Sequence, residues 1–149
     1  MKEKLLISAC LTGENCKYSG GNNALPEEQL RKLRTHYELV PVCPEQLGGL
    51  PTPRTPAERR GEQVITRDGR DVTSEFAAGA GKVLGIARDQ KIGKALLKSR
   101  SPSCGRDRIY DGSFTGTVIR GSGVTAQLLL EHGIDVCSEE EISRCFKKI

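Results

Sequence analysis

Three short apolar runs in this chain each end in a cysteine-bearing loop rich in glycine or proline. Leu5-Leu6-Ile7-Ser8-Ala9 runs into Cys10, with Gly13 close behind. Tyr37-Glu38-Leu39-Val40-Pro41-Val42 runs into Cys43-Pro44-Glu45, followed by Gly48-Gly49. Ala95-Leu96-Leu97 breaks at Lys98-Ser99-Arg100 and leads into Ser101-Pro102-Ser103-Cys104-Gly105. Short apolar runs bounded by turn residues read as buried strands. Pro102 cannot donate to a sheet ladder, so the third strand ends before it. Gly105 permits backbone angles closed to other residues. Open α/β sheets carry their chemistry on the loops beyond the carboxyl ends of their strands. If the three strands are parallel neighbours, their cysteines converge.

The rest of the chain fits that arrangement. Strands are expected over about Lys4–Ala9, Glu38–Val42, Ala95–Leu97 and Ile134–Val136. Pro26 suits the first turn of a helix that closes near His36, with Glu27 and Glu28 at its positive end. Thr73 or Ser74 can cap a second helix carrying Phe76, Ala80, Val83, Leu84 and Ala87 at helical spacing. Within it, Gly79-Ala80-Gly81-Lys82 lacks the spacing of a phosphate loop and reads as close helix packing. A third helix spans about Val124 to Glu131 and stops at Gly133. A fourth follows a capping box of Ser138 and Glu141, with Ile142, Cys145, Phe146 and Ile149 on one face. The long stretch from Cys43 to Val72 holds a proline-stiffened half and a small hairpin through Val64-Ile65-Thr66 and Asp68-Gly69. Tyr110 to Gly116 reads as a turn or short hairpin. Gly121-Ser122-Gly123 before a helix N-terminus suits either an anion or a purely structural turn.

Alternating strands and helices predict an α/β fold. The expectation is a Rossmann-like three-layer sandwich with a short parallel sheet, strand order 2-1-3-4, in one domain over residues 1–149. A long loop and hairpin are inserted after the second strand. At 149 residues, one such domain can bury a sizeable core.

Composition narrows the function classes. No apolar stretch approaches the roughly 20 residues of a membrane helix, and the N-terminus lacks the features of a signal peptide, so the expected compartment is the cytoplasm. The formal charge of +4 is mild, and three Phe, three Tyr and no Trp give little surface for stacking bases. A nucleic-acid partner therefore gains little support. Six cysteines are many for a cytoplasmic chain, where disulfides are disfavoured. Metal binding, catalysis or core packing are the alternatives. Cys145, on an apolar helix face, reads as core filling, and Cys137, against a helix cap, as structural.

Thiolates at strand ends suit soft metals. An iron–sulfur cluster, zinc, and a redox or nucleophilic cysteine all remain open. The company of the cysteines favours function over packing. Glu45 puts a carboxylate two residues from Cys43, and Ser101 and Ser103 bring hydroxyls to the third loop. Soft ligands, a general base and hydroxyl donors are the parts of a metal-assisted hydrolysis.

Ser8-Ala9-Cys10-Leu11 with Gly13 and Cys16-Lys17-Tyr18, Cys43-Pro44-Glu45 with Gly48-Gly49-Leu50-Pro51-Thr52-Pro53-Arg54, Ser101-Pro102-Ser103-Cys104-Gly105, and Gly121-Ser122-Gly123-Val124-Thr125-Ala126 resemble, in order, the thiouracil desulfurase family. The resemblance covers nearly the whole chain but not the last helix with Cys137 and Cys145. It implies a [4Fe–4S] cluster held by three cysteines, with the fourth iron open to the sulfur of 2- or 4-thiouracil. Water replaces sulfur without net redox change, giving uracil and hydrosulfide. On that resemblance Cys10, Cys43 and Cys104 are the ligands, Glu45 activates water and Ser101 positions it, while Ser103 and Arg54 contact substrate. Cys16 lies in a matching motif too; the other three are preferred because each follows a strand, whereas Cys16 sits further into its loop. A structural zinc or cluster domain that binds a partner, or a cysteine redox protein, is the alternative. The motifs do not specify free base, nucleoside or tRNA as substrate, nor the oligomeric state.

Overall fold

The structure, a computed structural model, describes residues 2–146. Four parallel strands form the central sheet: β1 (Glu3–Ser8), β2 (Tyr37–Val42), β5 (Lys94–Leu97) and β8 (Asp135–Ser138), in the spatial order β2-β1-β5-β8. This is the expected 2-1-3-4 order of the main strands. β2 lies at an edge, which is why Pro41 is tolerated within it. Ser8 pairs with Val42, and Ile7 with Leu96, so the chain leaves β1, β2 and β5 on the same side of the sheet.

Period-two alternation in fully buried strands sends successive side chains to opposite faces. Leu5, Ile7 and Leu96 pack with Leu30 and Leu33 of α1 (Glu27–His36) and with Ile142 and Phe146. Leu6, Ala95 and Leu97 pack with Val83, Leu84 and Ala87 of α3 (Thr73–Asp89) and with Ala126 and Leu129 of α4 (Val124–Glu131). The layers are thus helix, sheet, helix: an α/β sandwich of Rossmann-like type.

The stretch after β2 is more ordered than its sequence suggests. Pro44–Leu47 forms a short helix, α2, with proline at its first position, where a missing N–H costs nothing. β3 (Ala57–Arg60) and β4 (Gln63–Thr66) form an antiparallel hairpin, and the Asp68-Gly69 turn folds the chain back onto Ile65. β6 (Arg108–Tyr110) and β7 (Val118–Arg120) form the second hairpin. Gly79 packs directly on the backbone of Pro44, as its close-packing reading requires.

Three expectations need correcting. α3 is capped from outside itself: the Asp71 carboxylate accepts from the N–H of Thr73, while the Thr73 hydroxyl accepts from the N–H of Val64. At the C-terminus Ser138 accepts from the N–H of Glu140, not Glu141, opening a 3₁₀ turn, and α5 spans only Ile142–Cys145; Ile149 lies outside the described residues. Finally, Cys145 is not simple core filling: it is disulfide-bonded to Cys137, in keeping with the structural reading of Cys137. The 3₁₀ turn reverses the chain and brings their Cα atoms to 6.5 Å, within disulfide reach.

Candidate active site

The loops leaving β1, β2 and β5 enclose a cavity of about 720 Å³, within the range of small-molecule sites. The residues after β1 wind into a 3₁₀ turn, Ala9–Thr12, closed by Gly13 in the left-handed region at φ 99°, which glycine adopts without strain. That turn sets Cys10 on the wall, and the following loop adds Cys16. Cys43 stands immediately before α2, and Glu45 lies in its first turn. Cys10, Cys16, Cys43 and Cys104 are free thiols and all line the cavity. The structure therefore brings together the three cysteines singled out at strand ends, and adds Cys16 to them.

The Cys104 loop is held by the N-terminus of α4. Gly123 N donates to the Gly105 carbonyl at 2.7 Å, Val124 N to Pro102 and Thr125 N to Ser103, both at 2.8 Å. A Cβ on Gly123 would meet the Ser103 carbonyl carbon at 2.4 Å. Of the two readings of Gly121-Ser122-Gly123, the structural one holds: these donors are spent on the loop and not on an anion. Ser101 Oγ completes the loop by accepting from the N–H of Ser103 at 3.2 Å and of Cys104 at 3.1 Å.

Glu45 is gripped at both oxygens. Ser103 Oγ donates to Oε1 at 2.7 Å, and Arg54 Nη2 lies 3.6 Å from Oε2. Both side chains of that ion pair are sheltered, 9 % exposed for Arg54 and 15 % for Glu45. Arg54 also donates to the Cys16 carbonyl at 2.9 Å and to Thr52 Oγ1 at 3.0 Å, tying the Cys16 loop to α2. Ser101 and Arg54 line the cavity, whereas Ser103 is wholly buried behind the carboxylate. At the far end of β5, Lys98 N donates to Ser8 Oγ, and Glu139 binds both Lys98 Nζ, at 2.6 Å, and the N–H of Ser99.

The four thiols of the site all titrate above their ordinary pKa. Burial, and then the negative charge of Glu45, push the thiols of Cys43 and Cys104 above their ordinary pKa; burial does the same to Cys10, opposed by Asn23. Cys16 is pushed up to about 12, by burial first and then by Cys43 and Cys10. Such thiols stay protonated at neutral pH unless a metal supplies positive charge. Among the described residues no three of His, Cys, Asp or Glu close on one ion-sized point; the thiols are spread around the cavity on three separate loops. Soft donors in that arrangement fit a polynuclear iron–sulfur group. Cys16 was the least legible of the four, because its place on the wall depends on a loop tied down by Arg54, a contact between residues distant in sequence.

The chain is similar to known proteins over nearly its whole length. A solved structure described as a [4Fe-4S]-dependent thiouracil desulfidase, TudS, superposes with a TM-score of 0.90 at 48 % identity, covering 95 % of this chain and 93 % of its own. An uncharacterized protein of Bacillus subtilis (strain 168), YbbK, is 42 % identical, covering 93 % of this chain and 97 % of the relative. Residues 5–141 match the family model of 2-thiouracil desulfurase. The chain belongs to the 2-thiouracil desulfurase family.

Proposed function

We propose that this protein, acting as one cytoplasmic domain, removes sulfur from a thiolated uracil, 2- or 4-thiouracil, by a non-redox replacement with water that gives uracil and hydrosulfide. The observation that carries the reading is the meeting, on one cavity, of thiols from three strand-end loops with a sheltered carboxylate. Cys10, Cys43 and Cys104 would hold a [4Fe–4S] cluster, leaving Cys16 as a neighbour on the wall. Bound there, the cluster supplies Lewis acidity toward a soft thiocarbonyl sulfur.

The chain's own groups do the rest. Glu45 accepts a proton from the water that attacks the ring carbon; its tether through Ser103 and Arg54 aims the carboxylate without using it as a ligand. Ser101, on the cavity wall, acts by positioning: its hydroxyl accepts from the N–H groups of Ser103 and Cys104 and keeps that loop beside the carboxylate. Arg54 faces the cavity and contacts the substrate, while Ser103, placed behind Glu45, acts on the carboxylate. Apolar walls from Val42, Pro44 and Leu50 limit competing water.

The test is single turnover by Glu45→Gln. A positioned general base contributes typically about 10²–10⁴ in rate, so the variant should keep its iron and bind 4-thiouracil but lose turnover by that order. Uracil release near the normal rate would remove Glu45 as the base.

A further inference from the structure

Ser103 has one hydroxyl proton and three polar neighbours. Its Oγ stands 2.7 Å from Glu45 Oε1, 3.0 Å from Ser101 Oγ and 3.5 Å from Cys104 Sγ. Glu45 Oε1 accepts from Ser103 Oγ, and a hydroxyl has one proton to give. The short contact to Glu45 therefore commits the proton of Ser103, and the direction of the next bond follows: Ser101 must donate to Ser103. Ser101 Oγ meanwhile accepts from the N–H groups of Ser103 and Cys104. With two bonds accepted and one donated, its hydroxyl is fixed in space. Ser103 is 0 % exposed, so solvent does not reach its hydroxyl, and a buried, fully partnered group is held rigidly.

We propose that Ser103 is a positioning residue that couples Glu45 to Ser101, setting the aim of the carboxylate and the orientation of the Ser101 hydroxyl through the one hydroxyl oxygen that donates to the first and accepts from the second. The inference rests on the desulfurase reading above and goes beyond it, because Ser103 itself never reaches the substrate. Without this hydroxyl, Oε1 of Glu45 loses its donor and Arg54, beside Oε2, is left to turn the carboxylate. Ser101 loses its acceptor and can rotate its proton freely. A misplacement of this kind is felt in turnover more than in binding, since holding groups in attack geometry is worth several powers of ten.

The experiment is a double-mutant cycle on anaerobically prepared, cluster-loaded protein, with iron content and melting temperature recorded for every variant. Ser103→Ala should retain iron and reduce kcat about 10–100-fold with KM within about threefold, since it removes an interaction that matters in the transition state. Ser103→Thr, which keeps the donor, should recover most of the turnover. On a Glu45→Gln background, Ser103→Ala should add less than about threefold, because the two groups act as a unit. Should Ser103→Ala fail to accumulate as loaded protein, Ser103→Cys, of similar size but a weak donor, takes its place in the cycle. Normal kcat in the donor-deficient variant, or a loss that multiplies fully with that of Glu45→Gln, would overturn the proposal. Failure of the desulfurase reading itself would show differently, as no release of uracil or sulfide from 4-thiouracil by the cluster-loaded parent protein.

Discussion

Gly79 of α3 lies so close to Pro44 that a Cβ on it would stand 2.0 Å from the Pro44 carbonyl oxygen. Pro44 is flanked by Cys43 and Glu45, so a glycine in the middle of a helix sets the seat of two site residues. Gly48 repeats the relationship in the other direction: a Cβ on it would stand 2.0 Å from the Glu75 carbonyl oxygen. Gly79→Ala should force α2 away from α3. Overpacking of this kind costs about 1–3 kcal/mol, a fall in melting temperature of about 2–4 °C per kcal/mol for a chain of this size. Activity should fall further than stability, because Glu45 moves. A Gly79→Ala protein of normal activity would show that α2 tolerates displacement.

The cysteines divide into two groups with different expected phenotypes. Cys10, Cys43 and Cys104 replaced singly by Ser should lose iron and sulfide, since a hard alcohol is a poor ligand for iron. Cys137→Ser or Cys145→Ser should break only the disulfide at the end of β8 and leave iron content near that of the parent. Full iron and sulfide in Cys43→Ser would pass its place to Cys16.

The raised pKa values of the free thiols predict proton release. In cluster-free protein these groups are neutral at pH 7, and binding as thiolates expels their protons. Anaerobic reconstitution in weak buffer should acidify the solution, and loading at limiting iron should improve from pH 7 to 8.5. Loading independent of pH would mean that the thiols are already ionised.

Glu139 predicts an acid-sensitive joint between β5 and β8. Its burial pushes the carboxyl pKa up, but hydrogen bonds from Lys98 and the Ser99 N–H, with the charge of Lys98, outweigh that and leave it lowered. A lowered folded value stabilises the protein above the unfolded carboxyl pKa, about 4.3, and the contribution is lost as pH falls through the lower folded value. Glu139→Gln should cost on the order of 1–3 kcal/mol at pH 7, as for charged hydrogen bonds. Its urea midpoint in cluster-free protein should vary less than the parent's between about pH 5 and 3. Equal slopes for the two proteins would remove Glu139 as the source.

Much of this was legible in the sequence because the signals were local. The strands Leu5–Ile7 and Ala95–Leu97 announce themselves by apolar runs, and Gly13, Pro44 and Gly105 mark the loops that carry Cys10, Glu45 and Cys104. The strand order is expected because it brings the ends of the first three main strands, and so their cysteines, together. What was hidden depends on contacts across long stretches of chain. Nothing near Ser103 says that its hydroxyl meets Glu45, and nothing near Cys137 says that a 3₁₀ turn will return Cys145 to it. α2 was missed because four residues are too few to show a helical period, and its helix is held by Gly48 and Gly79, not by propensity.

The most direct test of the central claim compares two halves of one anaerobic preparation, one cluster-loaded and one stripped by a chelator, each given 4-thiouracil without reductant. The loaded half should release uracil and sulfide in equal amounts over many turnovers, and the stripped half neither. Equal rates in both halves, or a requirement for stoichiometric reductant, would contradict a cluster-dependent, non-redox desulfurase.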